Sequence, residues 1–167
     1  MDKKERKEFL KKKKEFLKKV EDEPNNASNY SILGEIFEHL TKKGAACKNY
    51  KRSLELKYNI PSNTKNFELK YNILSNGKVK LLFLKRSTNK SVYDVYSYLI
   101  NGIISFDNEN YRDAITNFDE AIKLVPNENI IYYYKGLVYF YSASYDTAIK
   151  NFKIALNLKN KLEEKKI

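Results

Sequence analysis

This chain has no tryptophan, one cysteine, one histidine and one methionine in 167 residues. A single Cys47 cannot close a disulfide within the chain, which removes the small cross-linked secreted scaffolds from consideration. The one histidine, His39, has no cysteine or carboxylate cluster at metal-ligand spacing around it. Five scattered glycines do not make a phosphate-cradling loop. These absences lead to the expectation of a non-enzymatic protein with no cofactor and no metal.

Long apolar runs are missing too. Nothing approaches the roughly 18 residues that a membrane-crossing helix needs, so no transmembrane segment is expected. Residues 1–20 are too charged for a signal peptide. If Met1 is the natural start, the expectation is a cytoplasmic protein; a chain trimmed of an upstream signal would read the same. With so few glycines and only three prolines, little interrupts helix formation, and the length suits one domain with a continuous core.

What is present is a 34-residue echo. Tyr98, Gly102, Tyr111, Ala114, Phe118 and Ala121 align without a gap on Tyr132, Gly136, Tyr145, Ala148, Phe152 and Ala155. A period of that length implies stacked supersecondary units, each unable to bury its apolar face alone. Carried back, the period gives a frame from Ala27, with Tyr30, Leu33, Gly34, Phe37, Ala46, Tyr50 and Ser53 in the equivalent slots. The frame from Pro61 is degenerate, with Glu68 where the glycine belongs and Lys80 for the alanine. Asn76-Gly77 still offers it a mid-repeat turn.

The pattern Ala114-x3-Phe118-x2-Ala121 with Pro126, and Ala148-x3-Phe152-x2-Ala155, resembles the tetratricopeptide repeat (TPR). Tyr98 and Tyr132 stand in its tryptophan slot, Asn101-Gly102 and Lys135-Gly136 in its Leu-Gly slot, and Asn160 where the last repeat would carry proline. The resemblance implies an all-α, right-handed α-solenoid of stacked antiparallel helix pairs. It implies repeats at 27–60, 61–94, 95–128 and 129–160, with a polar tail at 161–167. Gly102 and Gly136 are expected where the two helices of one unit touch, and Tyr98, Phe118, Tyr132 and Phe152 between units. Residues 1–26 are expected to hold a charged N-terminal helix; Phe9, Leu10, Phe16, Leu17 and Val20 stripe it over 3–22, and it is expected to cap the first repeat. The alternative for it is a basic helix lying on a membrane surface. The short C-terminal tail is expected to leave an apolar end of the stack partly open.

The resemblance also implies which residues line the concave wall: Tyr96, Leu99, Ile103, Phe106 and Asp107 in the third unit, and Ile130, Tyr133, Leu137, Phe140 and Tyr141 in the fourth. The first unit contributes Ser28, Ser31, Glu35, Glu38 and His39, and the second Ser62, Lys65, Leu69, Asn72 and Ile73. A row of apolar groups on such a wall points to a protein or peptide partner with an apolar or amphipathic segment, or to self-association through the same face. A cationic clamp for a terminal carboxylate is not expected, because the clamp slots hold residues such as Glu35, Tyr96 and Ile100. Charge supplies a second candidate. Residues 40–90 carry 13 Lys or Arg against Glu55 and Glu68, which equals the whole chain's net +11. Lys48, Lys51, Arg52, Lys78, Lys85 and Arg86 would form a basic convex patch for nucleic acid or another anionic surface. The excess of Lys over Arg, with no aromatic ladder, argues against nucleic acid. The leading expectation is a protein-interaction scaffold or chaperone-like adaptor.

Overall fold

The computed structural model of the protein describes residues 1–58 and 91–164. These residues are all-α, with no strand among them: α1 (Lys3–Asp22), α2 (Ala27–His39), α3 (Lys43–Tyr58), α4 (Ser91–Asp107), α5 (Tyr111–Leu124), α6 (Asn129–Tyr141) and α7 (Tyr145–Glu164). Most of the degenerate frame 61–94, with Asn76-Gly77, Lys78, Lys85 and Arg86, lies outside the described residues. Helix α4 begins at Ser91, ahead of the frame boundary at 95, and α7 runs on through Glu164 into the segment expected to be a polar tail.

Three antiparallel hairpins, α2–α3, α4–α5 and α6–α7, share one local design. Gly34, Gly102 and Gly136 each face an aromatic ring on the second helix of their own hairpin. A Cβ there would stand 2.8 Å from Tyr50, 2.5 Å from Phe118 and 2.5 Å from Phe152, respectively. Only a residue without a side chain permits that approach. Phe118 and Phe152 thus pack first inside their own unit, although Phe118 also stacks on Tyr134 of the next, with centroids 6.0 Å apart. Tyr98 and Tyr132, expected wholly between units, are only partly buried.

The turns repeat as well. Thr41, Glu109 and Ala143 take left-handed backbone angles, with φ of 57°, 59° and 59°. The next residue's N–H reaches back in each case, Lys42 to Phe37, Asn110 to Ser105 and Ser144 to Tyr139, all at 2.8 Å. This closure satisfies the last carbonyls of the first helix and reverses the chain. Helix α1 is started by a capping box. The Asp2 carboxylate accepts from the N–H groups of Lys4 and Glu5, and Glu5 accepts from that of Asp2.

The hairpins do not stack in chain order. Helix α5 packs on α6 as consecutive repeats require, but on the far side of α6–α7 lies α3, from the first hairpin, pressed mainly on α7 and partly on α6. Helix α2 lies behind α3, and α1 lies on α2. The described hairpins therefore run third, fourth, first. Ion pairs fix the direction: Lys43 to Asp146 at 2.6 Å joins the starts of α3 and α7, and Lys57 to Glu163 at 3.1 Å joins their ends. Helix α3 is thus parallel to α7. It takes the place that a following unit's first helix would take, but runs in the opposite direction.

Apolar burial holds this contact. Cys47, Tyr50 and Leu54 of α3 and Ile149, Phe152 and Leu156 of α7 are all buried in one core cluster. The two sets stand at equivalent repeat positions, so each helix presents the strip that would normally receive a following hairpin. Tyr58 adds an edge contact with Tyr133, centroids 5.6 Å apart, and its hydroxyl donates to Asn129 at 2.7 Å. The open C-terminal end expected from the sequence is therefore covered by the chain's own first hairpin.

Candidate functional site

The apolar row on α4 and α6 is largely filled from within. Leu99, Ile103 and Phe106 are buried, as are Tyr133 and Leu137. Burial raises the Tyr133 phenol well above its usual value, with Glu55 of α3 adding to the effect. Tyr133 and Leu137 would face solvent in a stack that continued in chain order; here α3 occupies the adjacent place. This corrects the expectation of an open wall along the whole row. Ile130 and Phe140 remain partly buried, and Tyr141 is 53% exposed. Asp107 is also exposed, while the side chain of Tyr96 lies outside the described residues.

The open part of the row is its turn end. Five rings run there in a string: Tyr111 to Phe106 (6.2 Å between centroids), Phe106 to Tyr141 (5.6 Å), Tyr141 to Phe140 (5.3 Å) and Phe140 to Tyr145 (6.0 Å). The inner ring, Phe106, is buried, whereas Tyr141 and Tyr145 are exposed. Rings held at such spacings against one another are rigid, wide and amphipathic, which suits contact with another apolar surface. Sequence reasoning placed Phe106, Phe140 and Tyr141 on the wall, but gave Tyr111 and Tyr145 only as repeat positions. Their signal was available, since both open the second helix of a hairpin and stand one repeat apart.

The first unit's wall positions lead elsewhere. Glu35, Glu38 and His39 line an open depression of about 540 Å³ together with Lys153 of α7. Glu38 accepts from the Tyr50 hydroxyl and from Lys153, both at 3.0 Å. His39 stacks on Phe9 of α1, with centroids 4.4 Å apart. This polar depression is thus braced by three helices of the same chain.

The basic patch is reduced where it is described. Lys48 is exposed, but Lys51 and Arg52 both pair with Glu55, whose side chain is only 8% exposed. Two cations of the expected six are thereby committed to a carboxylate on their own helix. The signal for this lay in the sequence, because residues four apart on a helix are neighbours. Cys47 is buried, and its thiol lies 3.4 Å from the Tyr145 carbonyl. Burial pushes the thiol up to about 12, with Asp146 and Glu38 contributing, so it is protonated and a poor nucleophile at neutral pH. Among the described residues, no cluster of His, Cys, Asp or Glu could hold a metal ion. Nor is any described helix long and apolar enough to cross a membrane.

No family model matches the chain, and neither does any curated protein. Solved structures similar to it include two of MamA. The MamA RS-1 ArsTM double mutant is 17% identical over 94% of this chain and 96% of that one, with a TM-score of 0.41. MamA from residue 41 to its end, from Desulfovibrio magneticus RS-1, is 16% identical over 93% and 96%, also with a TM-score of 0.41.

Proposed function

We propose that this chain is a protein-interaction scaffold of the tetratricopeptide type, and that it takes an apolar or amphipathic segment of a partner protein at the turn end of α4 and α6. The observation that carries the reading is the exposed Tyr141, seated between Phe106 and Phe140. An aromatic ring that is supported on two sides and open on a third loses little entropy on binding, and such rings dominate interface energetics. An amphipathic helix would lay apolar side chains one turn apart along the five-ring string. Of the other members of the expected wall, Phe140 is partly open within this string, whereas Ile130 lies at the opposite end of α6.

Panning a displayed library of helical peptides against the intact protein tests this. The expected winners carry apolar residues at one-turn spacing, and Tyr141→Glu weakens them by at least about tenfold. Tyr141 is 53% exposed, and an unchanged melting curve confirms that the variant is folded. Enrichment of acidic peptides that bind Tyr141→Glu unchanged would contradict the proposal and favour the basic surface.

A further inference from the structure

Helix α1 is the least buried element of the described fold. It has no buried residue, although it spans 20 residues, about 30 Å. Phe9, Phe16 and Val20 are partly covered, and the Lys13 ammonium sits over the Phe37 ring of α2. Leu10 and Leu17 are left 47% and 39% exposed. The apolar stripe is therefore wider than α2 can cover.

Helix α1 carries ten Lys or Arg against five carboxylates, two of which, Glu21 and Asp22, stand in its last turn. Three of its carboxylates are already engaged: Glu5 in the capping box, Glu8 with Lys12 at 2.9 Å and Glu15 with Lys19 at 2.8 Å. Hydrogen bonding and charge from Lys12 and Lys19 hold the Glu8 and Glu15 carboxyls below the ordinary range. Lys4, Lys7, Lys11, Lys14 and Lys18 follow the three-and-four spacing of a single helix face. All five are exposed, and none forms an ion pair among the described residues. One border of this face reads Lys7, Leu10, Lys14, Leu17, each a helical turn from the next. Cations and leucines thus alternate along one edge.

We propose that α1 docks the protein on an anionic lipid surface, with Leu10 and Leu17 entering the headgroup boundary and the lysine row meeting lipid phosphates and carboxylates. Charge complementarity selects the partner: a row of unpaired lysines about 21 Å long requires an extended anionic surface. The leucines within that edge separate lipid from nucleic acid, whose phosphate backbone offers them no apolar site. Lysine, a flexible point charge, suits a fluid surface better than the fixed fork of arginine would. This site is distinct from the aromatic string and does not depend on it.

Co-sedimentation of the whole protein with vesicles of equal parts phosphatidylserine and phosphatidylcholine, against phosphatidylcholine alone, tests the proposal. The expected result is retention by the anionic vesicles only, weakening as salt rises. Replacing Lys7, Lys11 and Lys14 together by Gln should weaken it about a hundredfold. Leu10→Ser with Leu17→Ser should weaken it about tenfold at unchanged charge. All five residues are exposed, and an unchanged melting curve confirms that each variant is folded. Equal retention by both vesicle types, no retention, or binding indifferent to the lysine variant would overturn the proposal. So would preference for a duplex DNA probe with the leucine variant binding as wild type.

Discussion

The first and fourth hairpins are built from one local template and end in opposite surroundings. Gly34 faces Tyr50 as Gly136 faces Phe152, and Thr41 turns the chain as Ala143 does. Asn49 and Asn151 each donate to the carbonyl four residues earlier at 2.8 Å. They differ on the outer face of the first helix. Where α6 has Tyr133 and Leu137, both buried, α2 has Ser31 and Glu35, and Glu35 is exposed. The apolar pair accepts a neighbouring helix; the polar pair would have to be desolvated without compensation. The template thus makes a hairpin, while the outer face decides whether it lies inside the stack or ends it.

Disrupting the joint between the two hairpins should have the largest effect. Tyr58→Ala removes the ring contact with Tyr133 and the hydrogen bond to Asn129, and is expected to cost about 2–4 kcal/mol in chemical denaturation. A loss below about 0.5 kcal/mol would mean that α3 does not rest on α6 in solution.

Testing the shared template comes next. Gly136→Ala places a methyl group 2.5 Å from the Phe152 ring and should cost about 1–3 kcal/mol by overpacking. Gly34→Ala, at 2.8 Å from Tyr50, should cost less. Gly44 is the control, since a Cβ there meets nothing nearer than 3.7 Å. Gly44→Ala should leave stability unchanged or raise it by up to about 1 kcal/mol through helix propensity. Equal losses at Gly136 and Gly44 would remove the glycine–ring contact from the account.

The hairpins were legible because their signals are local. A glycine, an aromatic residue sixteen positions later and a period of 34 fix which two helices pair and how closely. The left-handed turn positions were not legible, because Thr41, Glu109 and Ala143 share no residue type. The order of stacking was also hidden. Cys47, Tyr50 and Leu54 are generic apolar residues, and nothing in their identity distinguishes a following hairpin from α7. Reading the wall residues through chain-order stacking therefore placed Tyr133 and Leu137 in solvent. The difference between Ser31 and Tyr133, at equivalent positions, was the available hint that the first unit ends the stack. On the other candidate surface, the pairing of Lys51 with Glu55 followed from spacing alone.

The most direct test of the central claim, that α3 packs on α7, is zero-length coupling of amines to carboxylates followed by peptide mapping of the monomer. Lys43–Asp146, Lys57–Glu163 and Lys153–Glu38 are the bridges that join the first hairpin to the fourth, and Lys135–Asp119, between α5 and α6, is the internal control. The account predicts all four links within one chain. Recovery of Lys135–Asp119 without any of the other three would contradict it and return the hairpins to chain order.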